Sequence, residues 1–274
     1  MAGVELFGYA VLVGCLAYVV AVYALDTEAR LVSIDREMRS AERIQASILP
    51  RDMPQRSGLA MCARYRPMAT MAGDFYDVVR LDDQRVAVIV ADVLGHGVSA
   101  SLIASMVKVA FNAEASHADD PGASLEGMNA TLVSVLRESD YVTACYVLID
   151  VATGAVRYGL AGHPPPLLLS PDGTVSPLCE GGTILGQFPA ARYSSTSVNA
   201  ARGSRLLLYT DGVTDAARPD GEFFGVDRLA ASLFENRALS AEQYADALLE
   251  SVLAWRGGGK LEDDVTIVVI DTLR

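Results

Sequence analysis

The stretch Leu206-Leu207-Leu208-Tyr209-Thr210-Asp211-Gly212 runs an apolar segment, suited to a buried strand, straight into a carboxylate and a glycine. A single Asp-Gly pair after a strand is ordinary turn chemistry. The pattern recurs elsewhere. Asp92 closes the run RVAVIVAD and precedes Val93-Leu94-Gly95-His96-Gly97, Asp74 and Asp77 lie in AGDFYD, and Asp263 and Asp264 directly precede VTIVVID. Carboxylates gathered in one place repel one another, so converging strand ends of this kind need cations. Oxygen donors with few histidines suit Mg2+ or Mn2+ better than Zn2+. Glycine beside such an acid lets the backbone approach a ligand closely. Spacing alone leaves two readings open, a set of separate turns or one metal site.

The runs 85–92, 143–150, 205–209 and 265–271 are short and rich in β-branched residues, which predicts strands. Gly154, Gly162 and Asp172-Gly173 punctuate hairpin-like turns between them. Helices are predicted over 98–115, 124–138 and 240–255. Strands grouped with strands and helices with helices indicate an α+β layered domain, here over residues 58–274. Residues 51–57 read as a linker after the helix-stopping Pro50.

Residues 6–25 carry no charged side chain. Twenty residues at a helical rise of about 1.5 Å span roughly 30 Å, the thickness of a bilayer's hydrocarbon core. A cleaved signal peptide is the competing reading, but no Lys or Arg precedes the run and it is long for a signal. A retained transmembrane helix is therefore expected, after a short tail at 1–5. Arg30, Arg36, Arg39 and Arg43 follow the span, so the N-terminus is expected outside and the bulk of the chain in the cytoplasm. Residues 26–50 are expected to form a juxtamembrane helix. Within it Leu31, Ile34, Met38, Ala41, Gln45 and Ile48 recur at alternating intervals of three and four. This reads equally as a short coiled coil joining a homodimer, with Gln45 as a polar member, or as an amphipathic helix lying on its own domain.

Acidic residues exceed basic ones by 34 to 22, a net charge of −12, which argues against nucleic acid as a partner. The four cysteines are scattered and form no CxxC pair, so neither zinc nor a disulfide framework is supported.

From about Cys62 to Leu273 the chain resembles the bacterial SpoIIE-type branch of the metal-dependent (PPM) protein serine/threonine phosphatases. The motifs that carry the resemblance stand in family order: AGDFYD (72–77), ADVLGHG (91–97), LAGHPPPLLL (160–169), GTILG (182–186), LYTDGVTDA (208–216), GEFFG (221–225) and DDVT (263–266). Ile44–Pro50 is similar to the segment that enters the phosphatase domain in that branch. The resemblance implies a four-layer α-β-β-α sandwich and a site for two Mn2+ or Mg2+ ions. It implies Asp92 as the carboxylate bridging the ions, with the Val93 carbonyl on one of them. Asp74 would act largely through coordinated water, and Asp211 and Asp263 would hold the second ion. Asp264, beside that last position, is expected to support the loop. Asp77 and His96 neighbour the ligand positions and are read either as supporting contacts to the ions or as ordinary structural residues. Phe223 and Phe224 are expected to pack, with GEFFG as a candidate flap over the site. The implied reaction is hydrolysis of phosphoserine or phosphothreonine on a cytoplasmic regulatory protein, such as an anti-sigma-factor antagonist, by metal-activated water. The alternative is a membrane-anchored binding module that keeps the fold without the chemistry.

Overall fold

The computed structural model describes residues 2–50, 53, 58–258 and 260–273, the side chains of 2–6 and 9–11 excepted. Apart from Met53, the linker expected at 51–57 lies outside the described residues, as does Gly259 of the glycine loop. The chain divides into two units, Met1–Ile44 and Gln45–Arg274.

The first unit is helix. It belongs to α1, which runs from Ala2 to Ile48 without a break. From Ala2 to Ile48 the segments expected as tail, span and juxtamembrane helix lie in this one helix. Leu12, Val13, Leu16, Val19 and Val20 are exposed, and from Leu12 onward the helix is long and apolar enough to cross a membrane. Beyond Leu25 the composition turns charged, with ion pairs Asp26–Arg30 and Asp35–Arg39 spaced one turn apart.

The second unit follows the predicted layering. In chain order its elements are β1 (Leu59–Arg66), β2 (Phe75–Arg80), β3 (Arg85–Val93), α2 (Val98–Ala113), α3 (Pro121–Val135), β4 (Val142–Asp150), β5 (Ala155–Ala161) and β6 (Leu167–Leu169). They continue with β7 (Val175–Pro177), β8 (Thr196–Asn199), β9 (Arg205–Tyr209), α4 (Asp211–Thr214), α5 (Gly225–Glu235), α6 (Ala241–Trp255) and β10 (Val265–Thr272). One sheet has the order β1-β10-β9-β6-β7 and the other β2-β3-β4-β5-β8, with antiparallel pairing throughout.

Side-chain alternation builds the layers. In β9, Leu206 and Leu208 face the other sheet, where they meet residues such as Val88, Val90 and Val147. Leu207 and Tyr209 face the opposite way, into a core with Leu229 and Leu233 of α5 and Tyr244 and Leu248 of α6. A strand covered on both faces reads as an unbroken apolar run, which is why this segment is LLLY. Helices α2 and α3 cover the second sheet through Ile103, Val107, Phe111, Leu125, Met128 and Leu132, packed on Phe75, Ile89 and Tyr146. The order helix, sheet, sheet, helix is the four-layer sandwich expected.

Two helix starts are set by local caps. The helix α3 starts at Pro121 instead of residue 124, because Asp120 caps it, accepting from the amides of Gly122 (3.1 Å) and Ala123 (3.2 Å). Proline at the first helical position completes that start signal. Ser240 and Gln243 form a capping box that starts α6.

Candidate metal centre

The two sheets deliver their carboxylates to one place. Asp74 stands just before β2 and Asp92 is the penultimate residue of β3, both from one sheet. Asp211 opens α4 immediately after β9, and Asp263 and Asp264 precede β10, all from the other. Asp74 is 2% exposed and joins the sheets. Its Oδ2 accepts from Thr210 Oγ1 at 2.8 Å, at the end of β9, and from Thr266 Oγ1 of β10. Thr210 Oγ1 in turn accepts from the Thr266 amide at 3.0 Å, so both hydroxyls are fixed by the adjoining strands.

Asp263 and Asp264 take different surroundings. Asp264 is 2% exposed, and its two oxygens accept from the amides of Met68 (2.8 Å) and Gly73 (2.7 Å), tying down the loop that carries Asp74. Asp263 stands at the solvent edge, its Oδ1 accepting from the Asp264 amide at 2.8 Å. Two glycines permit this closeness. A Cβ on Gly212 would lie 1.9 Å from the Asp264 carbonyl oxygen, and one on Gly73 would lie 2.7 Å from the Val93 carbonyl oxygen. The β9–α4 turn is thereby pressed onto Asp263-Asp264, and the Asp74 loop onto the end of β3.

Electrostatics register the convergence. Burial, and then the neighbouring Asp92, hold the Asp74 carboxyl well above the usual carboxylate range. Burial, followed by Asp211, Asp263 and Asp264, pushes Asp92 up to about 8. Asp211 is raised by burial and then by Asp263 and Asp215. Asp263 is raised by desolvation first; the Asp264 amide that donates to it opposes the rise, the Asp264 and Asp215 carboxylates add to it, and His96 opposes. None of the leading influences on these four groups comes from a lysine or arginine. Carboxylates brought together and desolvated without a counter-charge are unstable as anions, and a divalent cation removes that penalty. Among the described residues no three Asp, Glu, His or Cys side chains cage an ion by themselves. An open site of this kind suits Mg2+-like ions, which keep several waters and take only one or two carboxylates each. The residues present fit such ions.

The other singled-out residues separate. Asp77 turns away to α2, where it pairs with Lys108, and its Oδ1 accepts from the Val78 amide. It is a structural ion pair and not a supporting contact of the carboxylate group. His96 is exposed in the loop between β3 and α2, within electrostatic reach of Asp263. Asp215, one helical turn after Asp211, lies within electrostatic reach of both Asp211 and Asp263. The i, i+4 spacing of carboxylates in DGVTD is the signal that could have found it. Thr210 and Thr266 were missed too, since a hydroxyl beside a strand-end acid has no signature until the strands are paired. In GEFFG, Phe224 is buried and Phe223 is 59% exposed, and the segment is part of a short hairpin closed by the Ala217–Phe223 bridge.

Residues 82–273 match the Stage II sporulation protein E (SpoIIE) family. The phosphoserine phosphatase RsbP of Bacillus subtilis (strain 168) is 30% identical over 184 residues, covering 66% of this chain and 45% of that protein. The phosphoserine phosphatase RsbU of the same organism is 27% identical over 238 residues, covering 86% and 70%. Protein IcfG of Synechocystis sp. (strain ATCC 27184 / PCC 6803 / Kazusa) is 28% identical over 262 residues, covering 85% and 41%. The chain thus spans less than half the length of IcfG and RsbP.

Among solved structures, the SiaA-PP2C domain of Pseudomonas aeruginosa has a TM-score of 0.78 at 24% identity, covering 89% of this chain and 98% of that one. RsbX in complex with magnesium gives 0.61 at 19% identity, covering 80% and 98%. The catalytic domain of the phosphatase PstP, in complex with two manganese ions, gives 0.58 at 20% identity, covering 79% and 99%. These likenesses establish a PP2C-type fold. With that fold, and with the family matched over most of the sheet-bearing unit, the chain belongs to the SpoIIE family.

Proposed function

We propose that this chain is a membrane-tethered, metal-dependent phosphatase that hydrolyses phosphoserine or phosphothreonine on a cytoplasmic regulatory protein. The observation that carries the reading is the meeting of Asp74, Asp92, Asp211 and Asp263 from both sheets, with no lysine or arginine among the leading influences on them. Asp92, at the centre, is assigned the bridge between two Mn2+ or Mg2+ ions, with the Val93 carbonyl beside it. Asp211 and Asp263 are assigned to one ion and Asp74, through water, to the other. When bound, such ions bring the pKa of a shared water toward 7 and place positive charge against the phosphoryl oxygens. The chain supplies the positioning. Thr210 and Thr266 aim the Asp74 carboxylate, Asp264 holds the loop before it, and Gly212 lets Asp211 close on Asp263.

The activity named for RsbP and RsbU supports phosphoserine as the bond cleaved. An anti-sigma-factor antagonist is the partner assigned. For the membrane, residues 6–25 are assigned as the span, 26–50 as the juxtamembrane helix and 58–274 as the cytoplasmic phosphatase domain, with the N-terminus outside.

The test is Mn2+-dependent hydrolysis of p-nitrophenyl phosphate and of a phosphoserine protein by the full chain in detergent. Asp92→Asn and Asp211→Asn should each lower the rate by roughly a hundredfold or more, on the scale of removing a charge-stabilising group from a transition state. Equal activity in all three proteins would overturn the assignment.

A further inference from the structure

The carboxylate centre is assembled by loops, and one of them is held by a residue that lies outside the stretch matched to the family. Gln45, near the end of α1, is 7% exposed. Its side-chain amide pairs with the backbone of Ala72 in both directions: Nε2 donates to the Ala72 carbonyl, and Oε1 accepts from the Ala72 amide at 3.2 Å. A primary amide used this way imitates a strand neighbour. It satisfies a buried donor and a buried acceptor that would otherwise lack partners, which is unfavourable.

Ala72 occupies a sensitive position. It is fully buried, with Met71 before it against Ser101 of α2 and Gly73 after it. The Gly73 amide donates to Asp264, and a Cβ at Gly73 would lie 2.7 Å from the Val93 carbonyl oxygen, so only glycine fits there. The next residue is Asp74. The loop is therefore clamped from two sides, by Asp264 at Met68 and Gly73 and by Gln45 at Ala72. Ile48, one turn after Gln45, and Leu49 pack on the core beneath α2 and so fix where the amide points. Positions 45 and 48 of the apparent heptad seam are thus turned into the sheet-bearing unit and are not free to face a second helix.

We infer that Gln45 is a positioning residue for the metal centre: its paired hydrogen bonds set the Ala72-Gly73 backbone, and through it Asp74 and the Val93 carbonyl, for cation binding. The inference rests on the reading of those two groups as metal ligands. Gln45 itself touches no reacting atom. Its loss would act on metal affinity before it acts on turnover, because saturating metal can pull a loosened loop into place.

The experiment uses the full chain in detergent with Mn2+ as the probe. Gln45→Leu keeps the volume and removes both bonds. Gln45→Glu keeps an acceptor for the Ala72 amide and loses the donor. Arg64→Ala, which breaks the Arg64–Asp246 pair between β1 and α6, controls for general loosening. Calorimetric Mn2+ affinity should fall about tenfold or more in Gln45→Leu, the scale of losing a partner that orients a ligand. Gln45→Glu should fall in between, and Arg64→Ala should stay within about twofold. Hydrogen exchange of the Ala72 and Gly73 amides in metal-free protein should accelerate in Gln45→Leu and stay unchanged in Arg64→Ala. At saturating Mn2+ the kcat of Gln45→Leu should return to within about twofold of the parent. A Gln45→Leu affinity equal to the parent's, or equal losses in Gln45→Leu and Arg64→Ala, would overturn the role of Gln45. Absence of Mn2+ binding in the parent chain would instead overturn the metal-centre reading on which it rests.

Discussion

At Asp92 the fold holds a carboxyl whose proton is retained up to about pH 8, because burial and three acidic neighbours all disfavour the anion. The sign of the consequence is fixed by linkage. A carboxyl raised in the folded state binds its proton more tightly there than in the unfolded chain, so its contribution to stability is present at low pH. That contribution is lost as pH rises from the ordinary carboxylate range near 4 through about 8. Asp74 and Asp211, also raised, act in the same direction. Metal-free protein in EDTA should therefore lose thermal stability between about pH 5 and 8, and Asp92→Asn should raise the Tm at pH 8 and flatten the profile. Differential scanning calorimetry across that range decides it, and a parent profile that rises with pH would contradict the described electrostatics. Of the residues involved, Asp74, Asp92, Asp211 and Asp263 were legible as strand-end acids. Thr210, Thr266 and Asp215 were not, because their significance depends on which strand lies beside which.

The hairpin between α4 and α5 shows how an element is held by contacts invisible in one dimension. Its closing carbonyls are all engaged: Trp255 Nε1 donates to Glu222 O at 3.1 Å, and Arg228 Nη1 donates to the carbonyls of Phe223 (3.0 Å) and Phe224 (3.1 Å). The Trp255 ring also lies near two guanidiniums, with Arg228 4.1 Å and Arg218 4.8 Å from its centroid, and the Phe224 ring meets it edge-on. GEFFG is thus pinned to the end of α6. Trp255 is the only tryptophan in the chain, so it reports on the hairpin. Arg228→Ala should lower stability by about 1–2 kcal/mol in urea denaturation, from the loss of a cation–π contact, two hydrogen bonds to backbone carbonyls and an exposed ion pair with Glu222. Acrylamide should also quench the Trp255 fluorescence more strongly. Unchanged quenching would mean that the clamp does not hold the hairpin in solution. Periodicity and β-branched composition gave β3, β4, β9 and β10 and the helices α2, α3 and α6. The strands β1, β2 and β5 and the helix α5 were not predicted, although they are long enough to carry a pattern, and β6, β7 and β8 have too few residues to carry one, their place in a sheet being set by neighbours distant in sequence.

For the whole molecule, the continuous helix from Ala2 to Ile48 means that the apolar run and Gln45 belong to one element. The full chain should sediment with membranes and resist alkaline carbonate extraction, and release of a folded, soluble full-length chain would refute the tether.

The order and chemistry of the residues alone determined that this chain alternates buried strands with acidic turns, that it carries an apolar segment of bilayer length, and that it resembles one phosphatase branch. Those properties are local or compositional, and periodicity and hydropathy report them directly. Only the tertiary structure decided which acids meet. Antiparallel pairing of β10 with β9 and of β3 with β4, and the stacking of the two sheets, bring residues nearly two hundred positions apart into hydrogen-bond contact, as in Thr266 with Asp74. It also separated Asp263 at the solvent edge from Asp264 under the loop, and sent Asp77 to Lys108 and Gln45 to Ala72. Those assignments depend on the direction each side chain takes from its strand or helix, which is settled only when the faces it can bury against are in place.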